Sequence, residues 1–257
     1  MALFRAWRTT IMANKKVKGK SKDSGRRLQL AINGASFQYT EAYKSLRTNL
    51  NFLAVGNDYK KIVITSSIPS EGKSNVAVNL ALTLAESDKR VLLIDCDLRK
   101  PVLHKYLRVG HDVSGVTSLL SRACSISDAV VSFSDLKIDF LPAGPIPPNP
   151  AELLGSKRMQ ILLEELGQQY DFIILDTPPV SVVTDAAVLG HIADGVILVV
   201  RQNFVKIESA QLAMKNLKTV NANIIGAVLN DYNTKGVSKD SGYYYSYEYE
   251  YAKGNKK

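Results

Sequence analysis

Cysteine is scarce in this chain of 257 residues, with Cys96 and Cys124 the only two. Such a count argues against a disulfide framework and suits a reducing compartment. No stretch approaches the roughly 18 to 20 apolar residues that span a bilayer. The N-terminus lacks the apolar core and small-residue cleavage site of a secretory leader. Together these absences predict a soluble intracellular chain, and no internal repeat breaks it into units. Acidic residues are missing from the first thirty positions except for Asp23. Arg5, Arg8, Lys15, Lys16, Lys18, Lys20, Lys22, Arg26 and Arg27 stand there instead, giving that arm +8 of the chain's +9. A basic arm on a near-neutral body suits anionic lipid, nucleic acid or an acidic partner, or simply a solvated tail. Leu3, Phe4, Trp7 and Ile11 would share one face of a helix there, a short and weak surface-binding signal. Nucleic-acid binding would rest on this arm alone and is the weakest of these readings.

The apolar content of 46% is enough for one α/β domain. From residue 60 onward, short apolar runs alternate with helical stretches, the pattern of a mostly parallel, doubly wound sheet with helices on both faces. Strands are predicted at Lys61–Thr65, Val91–Asp95, Ile138–Pro142, Phe172–Asp176, Val196–Arg201 and Ile225–Asn230. Their near-continuous Val/Ile/Leu composition fits strands buried on both faces. Helices are predicted at Glu41–Leu53, Asn75–Glu86, Lys157–Gln168, Asp185–Ala193 and Val205–Val220. The expected organisation is a basic, flexible arm over 1–35, a domain over 36–236 and a flexible tail over 237–257. That tail holds Tyr243, Tyr244, Tyr245, Tyr247, Tyr249 and Tyr251, half of the chain's 12 tyrosines. No ordinary core needs such a composition.

After the first strand comes Ser67-Ile-Pro-Ser70-Glu71-Gly72-Lys73-Ser74-Asn75, then a helix. This matches the phosphate loop G-x-x-x-x-G-K-[ST] except that Ser67 replaces the first glycine. Main-chain N–H groups and the helix N-terminus would hold phosphates, Lys73 would neutralise their charge, and Ser74 would ligate Mg²⁺. The second strand ends in Leu92-Leu-Ile-Asp95-Cys-Asp97-Leu-Arg99. In parallel sheets the carboxyl ends of strands form the ligand crevice, and Asp95 and Asp97 would share one side if the extended backbone persisted. Carboxylates beside polyphosphate imply Mg²⁺ or a proton-accepting role. The fourth strand ends in Phe172-Ile-Ile-Leu-Asp176-Thr-Pro-Pro, where Asp176 would hold the metal. Thr184 and Asp185 follow, placed either to sense a γ-phosphate or to cap the next helix.

This set resembles the bacterial tyrosine kinases of capsule and exopolysaccharide synthesis. The resemblance rests on Gly72-Lys73-Ser74, LLIDCDLRKP, ILDTPP, PPNPAELL at 147–154 and the tyrosine-rich tail, and covers roughly residues 36–251. It implies an ATP- and Mg²⁺-dependent protein tyrosine kinase of P-loop NTPase fold that phosphorylates its own tail in trans, with other protein substrates open. Residues 70–75 and Asn230 would bind nucleotide, and Ser74, Asp95 and Asp176 the metal. Lys73, Asp95 and Asp97 would carry catalysis, with Asp95 accepting the tyrosine proton. It further implies ring-shaped homo-oligomers joined through Glu41, Lys44 and Arg47, where Lys44 replaces the family's arginine. A membrane-bound activator would place the chain at the inner face of the membrane. Two alternatives stand beside this reading. One is a switch ATPase of the partitioning type, which would carry a lysine where Ile68 stands. The other is a non-catalytic nucleotide-dependent scaffold for polysaccharide assembly.

Overall fold

The computed structural model describes residues 30, 35–110 and 112–232. The basic arm, the tyrosine cluster Tyr243–Tyr251 and the proposed domain boundaries at 36 and 236 fall outside these residues or at their margins. Ser36 opens α1 (Phe37–Ala54), its hydroxyl accepting from the Tyr39 N–H at 3.3 Å. There follow β1 (Lys61–Ser66), α2 (Lys73–Ala85), β2 (Val91–Asp95), α3 (Leu103–Tyr106), α4 (Val116–Leu120) and α5 (Ile126–Ala129). The chain continues through β3 (Val131–Phe133), β4 (Ile138–Leu141), α6 (Pro150–Leu154), α7 (Lys157–Gln169) and β5 (Phe172–Asp176). It ends with α8 (Asp185–Ile192), β6 (Gly195–Arg201), α9 (Ile207–Thr219) and β7 (Ile224–Asn230). None of the described helices is long and apolar enough to cross a membrane.

One sheet of seven strands runs in the order β3-β4-β2-β5-β1-β6-β7. Every neighbouring pair is parallel except β3 against β4. The period of two along each strand sends its side chains to two separate layers. Ile62, Ile64, Leu93, Ile174 and Val199 face the layer containing α2 and Leu50 of α1. Val63, Leu92, Ile94, Ile173, Leu175 and Leu198 face the layer of α7, α8 and α9. Because helices cover both faces, the strands are apolar throughout rather than alternating. Helix α2 is the most enclosed, with eleven of its residues buried from Ser74 to Ala85. Truncating one of its core leucines, such as Leu80, would cost about 2–5 kcal/mol.

All six predicted strands are present. The three-residue β3 was not expected; it is too short for any period to show. Helix α1 begins four residues before its predicted start because Ser36 supplies the cap. β2 ends at Asp95, so Asp97 lies beyond the strand and does not share its alternation. What matters for function is that β1 lies between β5 and β6, with β2 beyond β5 and β7 beyond β6. The loop after β1 therefore opens at the switch point of a parallel sheet, where ligand crevices form.

Candidate active site

The loop from Ser67 to Gly72 is shaped by two residues in the left-handed region, Ser70 at φ 69° and Gly72 at φ 93°. Glycine at 72 also leaves room for a neighbouring side chain. A β-carbon there would stand 2.1 Å from Asn230 Nδ2. Ser67 takes no positive φ, so the backbone at this position does not require the usual glycine; its hydroxyl is buried without a hydrogen-bond partner among the described residues. Gly72 caps α2 with no side chain to satisfy the first-turn N–H groups. Uncapped N–H groups at the positive end of a thirteen-residue helix form an anion site.

Glu71 turns inward rather than toward a ligand. It is fully buried, and its carboxylate accepts from the Ile68 N–H at 2.7 Å and the Arg201 N–H at 3.2 Å. Asn230 Nδ2 donates to the Glu71 carbonyl at 2.7 Å, and Arg201 Nη1 to the Ser70 carbonyl at 3.3 Å. Residues at the ends of β6 and β7 thus brace the phosphate loop. The Glu71 side chain is a strut, and only its main chain is placed to meet phosphate. Asn230, expected at the nucleotide, here spends its amide N–H on the loop's own main chain. Asn75 likewise commits its side-chain oxygen to α1, accepting from Tyr39 Oη at 2.8 Å and Tyr43 Oη at 3.2 Å.

Lys73 lies among acids. Its Nζ is 3.1 Å from Asp97 Oδ2, 3.5 Å from Asp176 Oδ1 and 3.3 Å from the Ser74 hydroxyl. Burial favours the neutral amine, but Asp176 and Asp97 outweigh it and hold the pKa above the ordinary lysine value. Asp97 also caps the turn that follows, its Oδ1 accepting from the Lys100 N–H at 3.0 Å. Asp95 accepts from the N–H groups of Asp97 at 3.2 Å and Leu103 at 3.1 Å. Burial, followed by the nearby Asp176, pushes its pKa up to about 8. Asp176 is fully buried, and neither oxygen has a hydrogen-bond partner among the described residues. Burial raises its pKa against the pull of Lys73. Lys73 and the Ser74 hydroxyl are its polar neighbours, neither in hydrogen-bond geometry.

These donors suit Mg²⁺. Two orphaned carboxylate oxygens on Asp176 and the Ser74 hydroxyl are hard oxygen ligands. No group of three His, Cys, Asp or Glu side chains is set to enclose a metal among the described residues. That agrees with a cation held by one or two protein oxygens together with substrate phosphates. Asp95 already spends both oxygens on main-chain N–H groups, so Ser74 and Asp176 are the better placed of the three expected ligands.

The other expected residues make contacts within the chain. Asp185 is the first residue of α8, fully buried, and accepts a two-pronged contact from Arg99, Nε and Nη2 each at 2.9 Å. On α1, Lys44 pairs with Glu41 at 2.7 Å, and Arg47 Nη1 donates to the Thr83 carbonyl of α2 at 2.9 Å. Sequence reading missed the Glu71 and Arg201 brace, although Arg201 was the lone charge ending an apolar strand. It also missed the Arg99–Asp185 clasp and the tie from α1 to Asn75.

A strand, a glycine-turned loop and an uncapped helix, with a lysine reaching two acids from neighbouring strand ends, define a P-loop nucleotide-binding fold. The AAA domain family model matches residues 59–231. Tyrosine-protein kinase YwqD of Bacillus subtilis (strain 168) is 42% identical over 227 residues, covering 87% of this chain and 94% of that protein. Tyrosine-protein kinase wzc of Salmonella typhimurium is 32% identical over 244 residues, and there the chain spans 34% of the relative's length. The solved kinase domain of Escherichia coli tyrosine kinase ETK superposes with a TM-score of 0.73 at 35% identity, covering 77% of each chain. The chain belongs to the bacterial tyrosine-protein kinases, and the partitioning-type switch ATPase is the less supported reading.

Proposed function

We propose that this chain transfers the γ-phosphoryl group of ATP to tyrosine hydroxyls, first of all those of Tyr243, Tyr244, Tyr245, Tyr247, Tyr249 and Tyr251 in a neighbouring subunit. The observation that carries this reading is Lys73 at the start of α2, set 3.1 Å from Asp97 and 3.5 Å from Asp176.

In this scheme the first-turn N–H groups of α2 and the main chain of Ser70–Ser74 bind the polyphosphate, and Asn230 flanks the base. Lys73 stabilises charge on the transferring group, since phosphoryl transfer depends chiefly on positioning and electrostatics. The tyrosine oxygen bonds to the γ-phosphorus as the bond to the bridging oxygen of ADP breaks. Asp95 takes the phenolic proton. Raised to about 8, the group is mostly protonated in the nucleotide-free protein at neutral pH, so the proton acceptor is its ionised form, a stronger base than an ordinary aspartate. Asp97 holds Lys73 and the turn beside Asp95 in place. Mg²⁺, bound through Ser74 and Asp176, would supply charge neutralisation on the phosphates.

The finer reading extends to assembly. Glu41, Lys44 and Arg47 would join subunits into a ring, a membrane-bound activator would recruit it to the inner membrane face, and its output would be control of capsule or exopolysaccharide synthesis. Intact-mass spectrometry after incubation with ATP and Mg²⁺ tests the central claim. Successive phosphate additions that map to Tyr243–Tyr251 and vanish in Lys73→Met are expected. ATP hydrolysis without phosphotyrosine, with the activator's cytoplasmic segment present, would reject it.

A further inference from the structure

Beneath the phosphate loop, α1 and α2 are joined by a polar cluster inside an otherwise apolar layer. Asn75 Oδ1 receives three donors: Tyr39 Oη at 2.8 Å, Tyr43 Oη at 3.2 Å and Asn79 Nδ2 at 2.6 Å. Asn79 Nδ2 also donates to the Asn75 carbonyl at 2.9 Å and to Tyr39 Oη at 3.1 Å. The two phenol rings meet edge to face, with centroids 5.1 Å apart. Burial raises the pKa of both phenols, so both stay protonated donors at any physiological pH.

The cluster fixes which way the Asn75 amide is turned. A main-chain carbonyl only accepts, so the Asn79 atom facing it must be the amide nitrogen. That nitrogen also faces the Asn75 side chain, where the atom must therefore be oxygen. With Oδ1 taking the bonds from Tyr39, Tyr43 and Asn79, the two Nδ2 donors of Asn75 have no part in this cluster. Asn75 follows Lys73 and Ser74 in the first turn of α2, the turn whose N–H groups form the anion site.

We propose that Tyr39 and Tyr43 are positioning residues for the nucleotide: acting through Asn75 Oδ1, they hold that amide with its donors toward the phosphates, so that α1 sets how tightly the loop binds. The inference rests on the nucleotide reading given above and names residues on another helix that tune it. The same helix carries Glu41, Lys44 and Arg47, and Arg47 is tied to α2 through the Thr83 carbonyl. The Thr83 hydroxyl in turn donates to the Asn79 carbonyl at 2.6 Å. A shift of α1 is therefore felt at the phosphate-binding turn.

The test uses the full chain, ADP with Mg²⁺ as the calorimetric probe, and Tyr39→Phe, Tyr43→Phe, their combination and Asn75→Asp. The double phenylalanine variant is expected to bind ADP about three- to tenfold more weakly, the effect of a lost hydrogen bond or two. Its KM for ATP should rise by the same factor while kcat stays within about twofold. Asn75→Asp keeps the acceptor for the tyrosines but replaces the donors with charge, and should weaken binding by about tenfold or more. ADP binding unchanged in the double variant, with only a lower melting temperature, would show that the cluster merely packs two helices, and overturn the proposal. Undiminished binding by Asn75→Asp would overturn it equally. Wild-type protein that binds no ADP would instead bring down the nucleotide reading, and this inference with it.

Discussion

Asp95 and Asp176 are register partners at the carboxyl ends of adjacent parallel strands β2 and β5, two fully buried carboxylates served by one nearby lysine. Their proximity and burial make the nucleotide-free protein sensitive to pH. The folded protein holds the Asp95 proton up to about pH 8, whereas an unfolded aspartate releases it near about 3.9. The native state thus binds more protons between those limits. Stability should be greatest below about pH 4 as far as this group is concerned, and should fall as pH rises toward about 8, by at most about 1.4 kcal/mol per unit. Urea unfolding of metal-free, nucleotide-free protein across this range is the measurement. The slope should flatten in Asp95→Asn, and a wild-type profile already flat would refute the assignment.

Lys73→Met should do more than abolish phosphoryl transfer. It removes the cation that Asp97 and Asp176 share and leaves buried carboxylates uncompensated, a change of about 3 kcal/mol or more. Part of that loss is recovered when the acids take up protons. The variant should therefore melt well below wild type in alkaline buffer and much closer to it in mildly acidic buffer. A pH-independent difference in melting temperature would count against the ion-pair account.

Gly72→Ala meets two obstacles. The backbone at φ 93° is strained for any side chain, at about 1–3 kcal/mol, and the new methyl collides with Asn230 Nδ2. Nucleotide binding should be lost. Adding Asn230→Ala relieves the collision but not the backbone, so calorimetry should show the double variant binding more weakly than Asn230→Ala alone, which by itself loses the tie to the Glu71 carbonyl. Equal binding by the double variant and Asn230→Ala would mean that the φ requirement is unimportant.

The Arg99–Asp185 clasp predicts an asymmetry. Arg99 is partly exposed and can turn to water, whereas Asp185 cannot. Arg99→Ala strands a buried carboxylate and should cost about 3 kcal/mol. Asp185→Ala should cost about half as much, and the double variant less than the two added together. Chemical denaturation of the three proteins decides this; equal losses from the two single changes would contradict it.

Much of the site was legible because each part sits where a local pattern ends. Asp95 and Asp176 each close an apolar strand, and Gly72-Lys73-Ser74 joins a strand to a helix. The rest depends on contacts with no local period. Arg99 finds Asp185 across 86 positions, and Glu71 finds the Arg201 N–H across 130. Nothing in the spacing of Tyr39, Tyr43 and Asn75 announces that α1 lies against α2. Residue type misled at Glu71, where a charged side chain in a phosphate loop is turned wholly inward. Asp97 lies beside Asp95 through the turn after β2, not through the strand alternation the sequence suggested.

The contact of Lys73 with Asp97 and Asp176 makes the protein its own competitor for the ammonium group. Any phosphate that draws Lys73 toward itself must displace these carboxylates, leaving an excess of negative charge in a dry crevice. Phosphate ligand and divalent cation are therefore thermodynamically linked: each should strengthen the other's binding by the same factor, and the loop's affinity for metal-free nucleotide falls short of what its donors alone would give.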